Sequence, residues 1–513
     1  MELAPPPAIQ LTGIDKRFGA VHANKNINMV VAKGTIHGII GENGAGKSTL
    51  MSILYGFYSA DSGEIRVNGK PVLIKTSQHA ISIGIGMVHQ HFMLVENFSV
   101  LENIVLGAEG GALLQAGEDK ARAQLKKLSD DYELEVDPDA LIEDLPVGLQ
   151  QRVEILKALT RGAETLILDE PTGVLTPAEA DHLFRILRQL KDQGKTILLI
   201  THKLREIMAV TDNVSVMRRG EMVATVKTSE TDAEHLADLM VGRHVLLDVT
   251  KGPAKPGEVR LQVEGLTVKD EWGVARVNNV SFNVRDGEIV GIAGVSGNGQ
   301  SELLAALAGI RRSVAGKIIL SGESIDPVHE ADPAKMRERG MAHVPEDRQH
   351  MGLVLPFEES ENSILGYHRS TQYGSGFNLD PDKVRNDAAD KIRLFDIRPD
   401  NGRLKTANFS GGNQQKIVLA REMTRDPKVL LVGQPTRGVD IGAVEFIHKQ
   451  LIAMRDQGKA ILLVSVELDE ICSLADRVLV MFAGRIVGEV SPDTDEGEIG
   501  LLMAGINRKE AAQ

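Results

Sequence analysis

"GENGAGKST", residues 41 to 49, decides how this chain is read. It matches G-x-x-x-x-G-K-[ST] and follows a strand-like apolar run, "TIHGII" at 35 to 40. Glycines at this spacing let backbone N–H groups curl around phosphate at the positive end of a helix, expected to begin near Lys47. Gly41, Glu42, Asn43, Gly44, Ala45, Gly46, Lys47, Ser48 and Thr49 are therefore candidate ATP ligands. In such a loop the lysine reaches the β- and γ-phosphates and the serine hydroxyl ligates Mg²⁺.

Further along, "TLILDEPT" (165 to 172) reads as a buried strand ending in two carboxylates. Asp169 suits a Mg²⁺ partner, and Glu170 suits a group that orients or deprotonates the attacking water, a role worth roughly 10²–10⁴ in rate. His202 closes another apolar strand, "TILLITH", within reach of a γ-phosphate.

The chain is written twice. "DQGKTILLITHKLREI" (192 to 207) returns as "DQGKAILLVSVELDEI" (456 to 471), and "LQQRVEILKAL" (149 to 159) returns as "NQQKIVLAREM" (413 to 423). "GENGAGKST" itself faces "GVSGNGQSE" at 294 to 302. Copies of about 250 residues indicate duplication of a whole domain, since solenoid periods run roughly 20 to 50. The expected layout is a first domain at 1–244, a linker at 245–257 rich in Pro, Gly and Lys, a second domain at 258–507 and a tail at 508–513. Short strands (Leu166–Leu168, Thr196–Ile200) alternate with helical patterns such as Ala178–Leu190. That alternation predicts an α/β fold in each copy, with a mainly parallel sheet covered by helices. A Gly-turned antiparallel pair, "GEIRVNGKPV" at 63 to 72, is expected to open each half.

Bulk properties narrow the function classes. The chain has 513 residues, 42% hydrophobic and 25% charged, which is ordinary for a globular protein of several domains. A net charge of −13 argues against a nucleic-acid footprint, which needs clustered Lys and Arg. The single cysteine, Cys472, leaves no intramolecular disulfide and no cysteine zinc cluster, and it fits a reducing compartment. "MELAPPPAIQ" has neither the basic nor the apolar region of a secretory signal, and no apolar run approaches the roughly 20 residues of a membrane span. Any membrane is expected to be reached through a partner.

Lys47, Asp169, Glu170 and His202, together with Gln90 in "MVHQHF" and "FSGGNQQK" at 409 to 416, resemble the ATPase subunits of ABC transporters over essentially the whole chain, twice. The resemblance implies two tandem ATPase domains, each with an antiparallel β subdomain and an α-helical signature subdomain. It implies that Phe18 stacks on adenine, and that Gln90 is a switch that joins Ser48 and Asp169 at Mg²⁺ and links nucleotide to the membrane subunits. It also implies that Ser410, Gly411, Gly412, Asn413 and Gln414 form the signature element, serving the nucleotide held by the other copy. In this family two nucleotides are sandwiched between domains arranged head to tail.

The copies then differ systematically. The second has Gln300 for Lys47, Glu302 for Thr49, Gly433 for Asp169, Gln434 for Glu170, Val466 for His202 and Glu346 for Gln90. The first copy's signature, "LPVGLQQ" with Val147 and Gly148, lacks the serine and the glycine pair. Thr176 also stands where the second copy has Asp440. In the implied arrangement all the major losses fall in one composite site, whereas independent decay would scatter them. One hydrolytic site and one degenerate site follow, the degenerate one keeping Gly294, Gly297, Gly299 and Ser301.

Fused copies with "HVPEDR" (343 to 348) and "GQPTRGVDIGAVEFIH" resemble the ATPases of simple-sugar and nucleoside importers, the nucleoside branch above all. This implies two transmembrane permease subunits as partners, an indirect link to a periplasmic or lipoprotein solute-binding protein, and a peripheral position on the cytoplasmic face of the membrane. Nucleic acid is not expected as a partner, and the solute itself never touches this subunit. Soluble tandem ATPases of ribosomes or DNA repair are the competing class. They are disfavoured by the short linker and by a cysteine count too low for zinc. A purely regulatory, non-hydrolysing protein is disfavoured by the complete set in the first copy.

Overall fold

The computed structural model describes residues 6–19, 21–89, 92–106, 114–132, 134–173, 175, 177–244, 251–375, 378–439 and 441–506. The chain divides into two compact units, Met1–Val245 and Leu246–Gln513.

In the first unit the strands are β1 (Ile9–Phe18), β2 (Val21–Val31), β3 (Ile36–Gly41), β4 (Ser62–Val67), β5 (Lys70–Val72), β6 (Ile85–Val88), β7 (Thr165–Asp169), β8 (Thr196–Ile200), β9 (Asn213–Arg218) and β10 (Glu221–Lys227). They form an antiparallel sheet ordered β2-β1-β4-β5 and a six-stranded sheet ordered β10-β9-β3-β8-β7-β6. In the larger sheet every pairing is parallel except β9 with β10. Every residue of β3, β7 and β8 is buried, which explains their unbroken apolar runs: a parallel strand is covered on both faces. Ile9, Ile39, Leu50, Ile167 and Leu198 belong to one core between the two sheets, each such side chain contributing roughly 1.5–3 kcal/mol by leaving water.

Helices Val100–Val105, Leu114–Tyr132 and Val147–Thr160 pack on one another as a separate helical subdomain. The first starts with a capping box in which Ser99 and Glu102 satisfy each other's backbone N–H groups.

The second unit repeats the plan with β11 (Val259–Lys269), β12 (Ala275–Arg285), β13 (Ile289–Ala293), β14 (Ala315–Leu320), β15 (Glu323–Ile325), β16 (Met341–Val344), β17 (Gly374–Ser375), β18 (Asn378–Leu379), β19 (Val429–Gly433), β20 (Ala460–Ser465), β21 (Arg477–Phe482) and β22 (Arg485–Val490). The sheet orders β12-β11-β14-β15 and β16-β19-β20-β13-β21-β22 match the first unit strand for strand, and β17-β18 is an added small ribbon.

One local expectation changes. The hairpin that opens each unit is β1-β2 or β11-β12, while the Gly-turned pair β4-β5 joins that sheet only after the phosphate loop. The described part of the linker is fastened to the second unit: Arg455 donates to Gly252 O at 2.9 Å, Gly257 N donates to Asp286 O at 2.8 Å, and the Lys251 ammonium bonds Ala475 O. Among the described residues no helix is long and apolar enough to cross a membrane.

Candidate nucleotide site

In parallel sheets the carboxyl ends of the strands gather on one edge, where ligands bind. In the first unit β8 lies between β3 and β7, and the register sets Ile39, Ile200 and Asp169 level across the three strands. Residues at or just past that line come from three chain segments: the loop 41–46, the carboxylate pair Asp169–Glu170, and His202. Gln90 follows β6 two residues after its end and lies outside the described residues, as do Thr176 and Asp440.

The loop leads from β3 directly into helix Lys47–Leu54, as its sequence implies. Gly46 caps that helix with φ 99°, and a Cβ there would lie 2.2 Å from Ala23 O on β2. Only glycine fits so tight an approach. Asn24, fully buried on the same strand, donates through Nδ2 to Gly46 O at 3.1 Å. This clamp was not read from the sequence: Asn24 stands in the polar register of "VHANKNINMVV", and an irregularity in the β1-β2 pairing goes with its burial.

The Lys47 side chain is buried and curls back, its Nζ donating to Gly41 O (2.7 Å) and Glu42 O (3.1 Å). Burial lowers its pKa, opposed by the charges of Glu170, Asp169 and Glu42. Burial, and then the adjacent Glu170, push Asp169 up to about 6; Lys47 and a hydrogen bond from Ser48 pull the other way. Glu170 goes down instead, chiefly because His202 Nδ1 lies 2.9 Å from its Oε1. The two neighbouring carboxylates are thus shifted in opposite directions. Glu170 sits at φ 47°, a left-handed turn that lifts its side chain out of the strand direction, and its N–H bonds Ile200 O at 2.8 Å.

Phe18, at the end of β1, is 42% exposed and meets Tyr58 edge-on at 5.1 Å, with Lys16 Nζ 5.4 Å from its centroid. Near the end of β6 a concavity of about 250 Å³ is lined by Phe57, His89, Met93, Glu154 and Lys157.

The second unit keeps the frame and exchanges the chemistry. Gly299 has φ 102° and its Cβ would lie 2.0 Å from Arg276 O. Gln300 is buried where Lys47 is, and its Nε2 donates to Val295 O at 3.2 Å. Gly433 ends β19 level with Val464. Gln434 repeats the left-handed turn at φ 48°, with its N–H on Val464 O at 2.8 Å. Its Oε1 accepts from Val466 N at 3.3 Å, so the partner of this side chain is backbone where Glu170 has an imidazole.

The signature helices differ at their first turn. Ser410 caps helix Gly411–Met423, its Oγ accepting from Asn413 N and from Asn413 Nδ2 (2.9 Å). Gly412 and Gln414 are buried within that helix. In the first unit Pro146 stands at the cap with no side-chain bond, ahead of Val147 and Gly148. Trp272, the chain's only tryptophan, escaped the sequence reading. It lies at the tip of the β11-β12 hairpin and is 84% exposed.

A family model described as "ABC transporter" matches residues 24–173 and again 277–437. The nucleoside import ATP-binding protein NupA of Lactococcus lactis is 47% identical over 510 residues, 99% of this chain and 100% of the relative. The guanosine import ATP-binding protein NupO of Bacillus subtilis is also 47% identical, covering 98% of this chain and 99% of its own. A glucose import ATP-binding protein of Haloferax volcanii is 44% identical, covering 97% of this chain and 96% of its own length.

Proposed function

The chain belongs to the ABC transporter family, among its import ATP-binding proteins, which are ATPases coupled to solute import; from that premise we propose that its first unit hydrolyses ATP, its second does not, and the imported solute is a nucleoside. One observation carries the division of labour: Glu170 holds an imidazole at 2.9 Å, while Gln434 and Val466 supply neither base nor imidazole.

In this reading the loop amides and Lys47 hold the phosphates, and Phe18 stacks on adenine. The donor set fits Mg²⁺, because the Ser48 hydroxyl and the Asp169 carboxylate are hard oxygen ligands already hydrogen-bonded to each other. Bound there with Gln90, the ion would offset phosphate charge and orient the phosphate oxygens. Glu170 takes the proton of the attacking water, and His202 keeps that carboxylate ionised and aimed. Ser410, Gly411, Gly412, Asn413 and Gln414 complete the hydrolytic site, following the family's pairing of loop and signature. Closing such a site excludes water other than the attacking one.

The protein acts at the cytoplasmic face of the membrane, beside two permease subunits fed by a solute-binding protein. The concavity around His89 and Met93, which flank Gln90 in sequence, supports docking of a permease segment there. The ribosome and DNA-repair readings lack support.

Replacing Glu170 with Gln should abolish steady-state ATPase activity while ATP binding persists. Retained turnover would overturn the assignment. Uptake of labelled nucleosides and hexoses by the assembled transporter decides the solute.

A further inference from the structure

We propose that Arg348 is a positioning residue for hydrolysis: its guanidinium joins the turn after β19 to the first turn of the signature helix, and so sets the Ser410–Gly411 edge. The inference rests on the reading that this signature completes the hydrolytic site of the first unit.

Arg348 follows β16 and opens the turn Arg348–Gly352, which Asp347 caps by accepting from Gln349 N (2.9 Å) and His350 N (3.0 Å). From that fixed base its Nη1 donates to Arg437 O at 2.7 Å and its Nη2 to Gly438 O at 3.4 Å. The same guanidinium rests against the signature. A Cβ at Gly411 would lie 2.6 Å from Arg348 Nη2 and 2.9 Å from Gly438 O. The first glycine of "SGGNQ" is therefore a glycine because the guanidinium and the turn fill the space that a side chain would need. Gln349 adds a second tie: its Nε2 donates to Gln414 Oε1 at 3.2 Å, and Gln414 Nε2 donates to Thr406 O and Phe409 O, each at 3.2 Å. Segments 347–352, 410–414 and 436–438 thus meet around one arginine.

The first unit shows what this trio accompanies. Aligned on β6 with β16 and on β7 with β19, Phe92 stands in the place of Arg348, Val147 in that of Gly411 and Val174 in that of Gly438. The arginine and its two glycines occur together in the copy that keeps the signature. All three are exchanged together in the copy that lacks it. The main sheets of the two units nevertheless match strand for strand, so the fold itself requires neither the arginine nor the glycines. The trio goes with the signature.

The chemistry explains the residue type. Two successive carbonyls, at 437 and 438, call for a planar fork of donors, which arginine presents and lysine, a compact point charge, does not. Held this way, the cap residue Ser410, Gly411 and the turn at 436–438 form one block. Such precision matters to rate more than to affinity, because a displacement of about 1 Å costs on the order of 10²-fold in turnover. ATP is held mainly by the first unit's own loop and Lys47. Loosening the block should therefore slow cleavage and spare binding.

The test measures phosphate release by the assembled transporter as ATP is varied. Arg348→Ala, and Arg348→Met, which keeps the aliphatic bulk without the donors, should each lower kcat about 10- to 100-fold, with the KM for ATP within about threefold. Arg348→Lys, which can engage one carbonyl, should fall between methionine and the parent. Urea unfolding of each variant is followed alongside. An unchanged kcat in Arg348→Ala overturns the proposal. So does an unchanged kcat in Arg348→Met, which would leave packing as the whole effect. A KM that rises as steeply as kcat falls also overturns it, since Arg348 would then serve nucleotide binding. So does a loss of urea midpoint that tracks the loss of kcat through all three variants, since the residue would then serve folding alone. Failure of the hydrolytic assignment shows up separately, as turnover surviving Glu170→Gln.

Discussion

At Gly46 and Gly299 the two phosphate loops turn through nearly the same angle, close against the same hairpin carbonyl and start a helix of the same length, yet one frames Lys47 and the other Gln300. The match extends to the left-handed residues Glu170 and Gln434, whose N–H groups bond the same carbonyl of the neighbouring strand. Backbone shape and chemistry have therefore separated in this molecule. Shape is held by glycines pressed on a hairpin and by buried parallel strands, and both units need it to fold. Chemistry resides in a few side chains that add little to the core, and these have diverged freely.

The comparison breaks most sharply at Glu170, the proposed base. Glu170→Gln is expected to lower turnover at least ~10²-fold, whereas Gln434→Ala should leave it within about twofold, both read as phosphate release. A collapse with the second variant would make the two units equal partners. Next come the matched glycines. A Cβ at Gly46 or Gly299 meets main-chain oxygen that cannot step aside, so alanine should cost at least about tenfold in nucleotide binding at its own loop. Both are measured by ATP retention, Gly299→Ala in a chain that also carries Lys47→Ala. Tolerance at Gly299 alone would mean that the second loop has kept a shape it no longer uses.

A third contrast lies in the helical subdomains. Val100 opens the first unit's capped helix fully buried; Glu359 opens the corresponding helix equally buried, and burial pushes its carboxyl up to about 7 from 4.5, despite a hydrogen bond from Ser363 and the charge of Lys391. The folded carboxyl thus keeps its proton where the unfolded one has released it. Stability of the second unit should fall as pH rises from about 4.5 to about 7, by roughly 3 kcal/mol at most. Glu359→Val, which imports the first unit's residue, should flatten that slope and raise the denaturation midpoint at pH 8, as followed by urea unfolding at pH 5 and pH 8. A smaller effect is expected at Phe18, the proposed adenine platform. Phe18→Ala should raise the KM for ATP by about 3- to 10-fold, with kcat nearly unchanged.

Much of this was legible without coordinates. The apolar runs of β3, β7 and β8 announce buried parallel strands, and the loop motif fixes what lies between β3 and its helix. The repeat then carries both readings to the second unit. What stayed hidden depends on side-chain direction. In "HVPEDR", Arg348 reads as one more charge after a strand; only its place between Gly411 and Gly438 shows what it joins. Trp272 in "DEWGVA" is one aromatic in a turn until its exposure is known. The anchoring of residues 251–257 was equally silent, because Arg455 and Asp286, which hold them, lie far away in sequence or in an unmarked turn.

The left-handed turn at Gln434 also bears on the history of the second unit. Such a backbone is uncommon for a residue with a side chain and costs free energy to hold, yet Gln434 keeps it without a carboxylate to aim. The road back is therefore short. On the proposed division of labour, an active second unit requires exchanging side chains on a standing frame, with no refolding of any strand, so hydrolysis there is open to recovery by selection or by design.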